Sequence, residues 1–152
     1  MKIAIGSDHA GYRLKVTLLG WLTDEGYDVT DLGTYSEESV NYPHYGALVG
    51  RAVASGEYEK GVAVCGSGQG ICMAVNRVPG ARGGVIRDVK DAEMTRRHNN
   101  ANVACFGEAF STPEYAIAAL EVFLATGFDG GRHEVRVEQL STLEASRGQA
   151  EV

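Results

Sequence analysis

The sequence is short of cysteine, of positive charge and of long apolar runs, and each shortage excludes something. Three thiols occur in 152 residues: Cys65, Cys72 and Cys105. They form no C-x-x-C pair and no His/Cys metal spacing. An odd number of thiols fits a reducing compartment better than a disulfide framework. Fourteen Lys and Arg stand against twenty Asp and Glu, a net charge of −6. That balance disfavours nucleic acid as a partner, because phosphate backbones select basic surfaces. It leaves room for a small anion held by a local cluster of arginines. No apolar run approaches the roughly 18 residues of a membrane span. Met1 to Gly6 runs straight into a strand with no signal-peptide core. The expectation is a cytoplasmic protein without a membrane partner. No internal repeat or low-complexity segment is visible.

What the chain does have is an alternation of short apolar runs and amphipathic segments. Residues 2–6 read as a strand buried on both faces and ended by Gly6. Leu14, Leu18 and Leu22 then repeat at helical spacing, stopping near Gly26. Tyr27 to Leu32 is a second strand. Residues 34–44 read as a polar loop ending in Asn41-Tyr42-Pro43-His44, and Ala47, Leu48, Ala52 and Val53 mark the next helix. The third strand is 61–65, and its helix starts inside a glycine loop and runs to about Arg77. A fourth strand covers Ala81 to Ile86. Asp88-Val89-Lys90-Asp91 is a capping pattern, and the helix it opens ends at Asn99-Asn100, where Asn suits a left-handed terminator.

The fifth strand is 102–106. Thr112 caps a helix with Pro113 at its first position, and Ile117, Leu120, Phe123 and Leu124 form its buried stripe. A last helix begins near Arg132, with Val137, Leu140 and Leu143 on its apolar side, and the tail from Gly148 reads as frayed. The length suits one domain, residues 1–152. Strands alternating with helices imply parallel strands joined by right-handed crossovers. The expected fold is α/β: a three-layer αβα sandwich with a five-stranded parallel, Rossmann-like sheet. Such sheets bind ligands at the C-terminal ends of their strands. That brings forward Ser7 to Gly11, Gly66 to Gly70, and Arg87-Asp88.

The central stretch is Gly61-Val62-Ala63-Val64-Cys65-Gly66-Ser67-Gly68-Gln69-Gly70. Gly66, Gly68 and Gly70 let backbone N–H groups converge on an anion without interference from Cβ. The helix that follows adds the positive end of its dipole. Cys65 sits at the strand's end, where such surroundings favour thiolate, whereas Cys72 and Cys105 read as core. A phosphatase C-x5-R loop needs Arg at position 71, which is Ile71. A dinucleotide fingerprint needs G-x-G-x-x-G after the first strand. The loop departs from it in spacing and place, but Asp88 lies near the position of a ribose-binding acid, so that alternative stays open. Asp8 and His9 follow the first strand, where a helix cap and a surface imidazole are the plain reading. His98 and Asn99 equally suit a helix terminus, and Tyr42 could simply close a loop. Arg132 and Arg136 share one helix face. They are either a solvated basic face or a phosphate clamp.

Six segments together resemble the ribose-5-phosphate isomerase B family, which also contains galactose-6-phosphate isomerase subunits. They are Gly6-Ser7-Asp8-His9-Ala10-Gly11, Asp31-Leu32-Gly33-Thr34, Tyr42-Pro43-His44-Tyr45, Cys65-Gly66-Ser67-Gly68-Gln69-Gly70-Ile71, Arg97-His98-Asn99-Asn100-Ala101-Asn102 and Gly130-Gly131-Arg132-His133-x-x-Arg136-Val137. They run in family order over nearly the whole chain. The resemblance implies interconversion of ribose 5-phosphate and ribulose 5-phosphate through an enediolate, with no metal and no organic cofactor. It implies Cys65 as the base, tuned by Ser67, with the N–H groups of the 66–70 loop holding the enediolate oxygen. Another branch places a glutamate base where this chain has Ile71.

It further implies that Asp8 and His98 assist ring opening. Asn99 would bind sugar hydroxyls or the enediolate, and His9, Arg132 and Arg136 the phosphate, with Tyr42 beside them in the site. Members of this family are dimers with shared sites, so the last helix, about 132–147, is expected to pack on a partner subunit. A dimer of dimers is open. Many members carry Arg two residues after the glycine matching Gly107, where this chain has Ala109. Tetrose 4-phosphate, allose 6-phosphate and galactose 6-phosphate therefore stay open as substrates. So does a nucleotide- or sugar-phosphate-binding module without catalysis.

Overall fold

A computed structural model describes residues 1–147. Five strands, β1 (Lys2–Ser7), β2 (Asp28–Asp31), β3 (Lys60–Cys65), β4 (Gly83–Val85) and β5 (Val103–Gly107), form one parallel sheet in the order β2-β1-β3-β5-β4. Helices α1 (Tyr12–Asp24), α4 (Val89–Asn99) and α5 (Pro113–Ala125) cover one face, and α2 (Tyr42–Ala54) and α3 (Gln69–Val75) the other. This is the α/β three-layer sandwich expected from the alternation. The strands separate their side chains by the period of two. Val62 and Val64 enter the core under α1 and α5, while Ala63 and Cys65 enter the core under α2 and α3. The second core also holds Cys72 and Cys105, as expected for structural thiols. No described helix is long and apolar enough to cross a membrane.

Local chemistry accounts for the element ends. Asp88 and Thr112 accept hydrogen bonds from Asp91 N (2.8 Å) and Tyr115 N (3.3 Å), so both expected caps form. Asn100 ends α4 at φ 47°. The second helix departs from expectation. It begins at Tyr42, not after His44, because Pro43 fits a first helical turn as well as a loop. Its buried residues are Gly46, Val49, Gly50 and Val53 rather than Ala47, Leu48 and Ala52. A Cβ on Gly46 would stand 2.8 Å from Ile71 O and from the Ala74 methyl. Glycine here sets how closely α2 meets α3. The last helix, α6 (Arg132–Arg147), touches α4 and leaves Leu140 and Leu143 exposed beside Asn76, Ala81 and Arg82. The expected frayed tail lies outside the described residues.

One ionised group is fully buried. Lys15 on α1 has no exposed surface, and its ammonium donates to both Asp31 oxygens at 2.8 Å and to the Thr34 carbonyl. Asp31 Oδ1 also accepts from Gly33 N at 2.9 Å. The chain after β2 is thereby tied down, and Gly33 and Thr34 pair with the tip of β1 (Ser7 N to Gly33 O, 2.6 Å; Thr34 N to Ser7 O, 2.7 Å). Removing one partner of such a pair strands the other charge. Asp31→Ala is expected to lower the free energy of unfolding by about 3 kcal/mol, and Lys15→Met by less, measured by chemical denaturation.

Candidate active site

The strand order reverses direction between β1 and β3, and the crevice there opens at their C-terminal ends. Ser7 pairs with Val64 in register, and Asp8 N donates to Val64 O at 3.2 Å. Asp8 and Cys65 therefore emerge side by side. A Cβ on Gly11 would lie 2.6 Å from Val64 C and O. Only glycine lets the turn before α1 lie on the end of β3. That turn is closed by Asp8, whose Oδ1 accepts from Gly11 N at 3.0 Å. His9 is half-buried. Its Nδ1 lies 3.1 Å from Val40 N and 3.2 Å from Val40 O, which ties the turn after β1 to the loop before α2.

Cys65 is 4% exposed, and its Sγ accepts a hydrogen bond from Gly68 N at 3.1 Å. Gly68 has φ 78°, a left-handed conformation that glycine adopts without penalty, and this turns its N–H back to the sulfur. Ser67 is exposed, and its Oγ accepts from Gln69 N at 3.2 Å rather than meeting Cys65. The Tyr42 ring lies on Gly70, where a Cβ would stand 2.7 Å from it. Of the other thiols, Cys105 is fully buried. Its hydrogen bond with Cys72, and then its burial, hold it well above the ordinary thiol range.

The remaining expected residues stand at the other edge of the sheet. His98 and Asn99 end α4, and the chain enters β5 at Val103, which pairs with Gly61 near the start of β3. Cys65 pairs with Gly107 at the far end, about 13 Å of strand away. Arg132 and Arg136, exposed on the first turns of α6, stand with His98. One chain thus brings together Asp8, His9, Tyr42, Cys65, Ser67, Gly66, Gly68 and Gly70, and separately His98, Asn99, Arg132 and Arg136.

Two neighbours of the second group were given no role in the sequence reading. The His133 ring stacks on His98, centroids 4.2 Å apart and planes 9° from parallel. Asp129 holds Arg97 through Nε at 3.1 and 3.2 Å. Donor atoms of His98, Asp129 and His133 approach within 4.8 Å of one another. A single ion cannot lie in the planes of two parallel rings. Asp129 already neutralises Arg97, and Arg132 and Arg136 add positive charge. The cluster suits an anion better than a cation. At the first edge Arg87, brought forward in the sequence with the loop after the fourth strand, lines the site. With Ser67, Gln69, Val85 and Phe110 it borders a cavity of about 160 Å³. Its place just past the end of β4 is what put it among the candidates.

These features define a class: an α/β protein with a glycine-loop thiol at a strand-order switch point. The Ribose/Galactose Isomerase family model matches residues 3–140. The chain is 40% identical over 146 residues to ribose-5-phosphate isomerase B of Escherichia coli (strain K12), covering 96% of this chain and 98% of that one. It is 33% identical over 146 residues to D-erythrulose-4-phosphate isomerase of Pectobacterium atrosepticum, covering 95% of each. Ribose-5-phosphate isomerase B of Clostridium thermocellum superposes with a TM-score of 0.95 at 43% identity, covering 97% of this chain and 99% of that one. The chain belongs to the ribose/galactose isomerase family.

The tight approach at Gly11 is open to test. Gly11→Ala forces a methyl into the end of β3 and is expected to cost about 1–3 kcal/mol of stability. An unfolding midpoint unchanged from the parent chain would contradict it.

Proposed function

We propose that this chain interconverts ribose 5-phosphate and ribulose 5-phosphate. The observation that carries the reading is the Cys65 thiol, held by the Gly68 N–H in the crevice beside Asp8. Cys65 moves a proton between C1 and C2. The N–H groups of the 66–70 loop stabilise the enediolate oxygen, a preorganised arrangement that needs no rearrangement as charge develops. Asp8 and His98 move protons during ring opening. Asn99 binds sugar hydroxyls or the enediolate, and His9, Arg132 and Arg136 hold the phosphate. Tyr42 closes the site over Gly70. Ser67, free at the loop surface, can turn to the substrate or to Cys65. A different phosphosugar is the second reading. Its specific support is Ala109, together with the similarity to the D-erythrulose-4-phosphate isomerase.

Residues 1–152 act as one isomerase domain that works in pairs. Cys65 and His98 lie at opposite edges of one sheet, so a complete site takes the His98 group of a second copy. The exposed Leu140 and Leu143 of α6 give that copy an apolar surface to cover.

An isomerisation assay without added metal tests the reading, comparing kcat/KM for four-, five- and six-carbon aldose phosphates. Ribose 5-phosphate is expected to lead. Cys65→Ser should fold normally and lose about two to four orders of magnitude in kcat, and retained activity would remove Cys65 as the base. Cys65→Ser and His98→Ala chains, each inactive alone, should recover roughly a quarter of the parental activity when dissociated and reassembled together. No recovery would place both groups within one chain's site.

A further inference from the structure

We propose that His133 is a positioning residue: its imidazole fixes the plane of His98 for proton transfer during opening of the sugar ring. This rests on the isomerase reading above. A ring that transfers a proton must keep its in-plane nitrogen aimed, yet the terminal torsion of histidine is broad and settles only against a neighbour. The parallel stack at 4.2 Å supplies that neighbour.

The stack is itself held from below. The segment that carries His133 is fastened to the end of α4 by Asp129 N to Arg97 O (3.0 Å) and by the Arg97–Asp129 ion pair. Gly130 and Gly131, at φ 65° and 56°, then turn the chain into α6, with His133 N donating to Gly130 O at 3.1 Å. Three residues of main chain thus separate a clamp on α4 from the ring that lies on His98.

The charged groups that act on His133 are Asp129 from the connection and Arg132 and Arg136 from α6, while Arg97 of α4 is held by Asp129 and Glu93. Loss of solvent, and then His98, Arg132 and Arg136, hold His133 below the usual histidine range, against the opposing pull of Asp129.

The test uses the full chain and compares His133→Ala, His133→Gln and His133→Phe. Ala and Gln remove the aromatic face and should lower kcat about tenfold, with KM changed less than about twofold. Phe restores a flat ring and should recover most of kcat. Proton NMR gives a readout independent of turnover. The His98 ring protons, shifted by the stacked ring, should move toward free-imidazole positions in Ala and Gln and stay in Phe. Parental kcat in Ala or Gln, with His98→Ala inactive, would overturn the inference. So would a tenfold rise in KM at unchanged kcat, which would assign His133 to the phosphate. Turnover by His98→Ala at the parental rate, or no turnover by the parent chain on any phosphosugar, would instead be a failure of the isomerase reading.

Discussion

Asp8 and Cys65 meet because β1 and β3 lie side by side, parallel and in register. Everything at the crevice depends on that pairing. Parallel neighbours end at the same edge, so the loops after them share one space. Three supports keep the alignment from loosening. Gly11 admits the start of α1 against the backbone of Val64 and Cys65. The Lys15–Asp31 pair, buried under α1, pins the chain that flanks β1 on its other side. Gly107, at the end of β5, leaves room for Ser67, whose backbone a Cβ there would meet at 2.5 Å. The loop that carries the thiol is therefore packed from both flanks before any ligand arrives.

The polar groups at the opposite edge follow a different logic. Around Cys65 the structure uses backbone N–H groups, which carry partial charge without a titrating side chain. At the start of α6 it uses side chains: Arg132 and Arg136 gather positive charge beside the His98–His133 stack, on a chain whose net charge is −6. Asp129 and Glu93 do not cancel this cluster, because Arg97 engages both and Lys90 adds a second cation at Glu93. A small anion is drawn to such a local field in spite of the global sign. One edge thus offers backbone N–H groups and the other cationic side chains, the two kinds of donor that the proposed isomerisation of a sugar phosphate calls on.

Most of the fold was legible in the sequence because its signals are local. The apolar runs of β1, β3 and β5, the leucines of α1 and the caps at Asp88 and Thr112 each act within a few residues. The buried face of α2 was not legible. Gly46 and Gly50 lie in it, and a hydrophobic pattern does not register glycine as a packing residue. The site was legible as a set of motifs, but its division between two edges was not. Neither the motif order nor the spacing carries the 13 Å of β5 that separates His98 from Cys65. Lys15 carried no signal of its own, since nothing near it in sequence announces Asp31. The stacking of His133 on His98 was hidden for a similar reason: the rings lie 35 residues apart, and the Arg97–Asp129 clamp helps bring them together.

The rival reading of the glycine loop, as a nucleotide site, meets two physical objections. The acid it would require, Asp88, already has work: its Oδ1 accepts the Asp91 N–H at the start of α4, in the extended conformation of a helix cap. Turning it to a ribose would uncap the helix, at a cost of about 1 kcal/mol. The second objection is space. In a dinucleotide fold the last glycine of the loop lets helix and strand approach each other, whereas Gly70 takes the ring of Tyr42 from α2. The cavity beside Ser67 and Gln69 is about 160 Å³, below the roughly 300–1,000 Å³ of pockets for drug-sized ligands. A loop roofed by its own chain's aromatic ring and opening on so small a space selects a compact substrate. Under the proposal that the chain works in pairs, the anionic end of that substrate falls to the α6 arginines of a second copy.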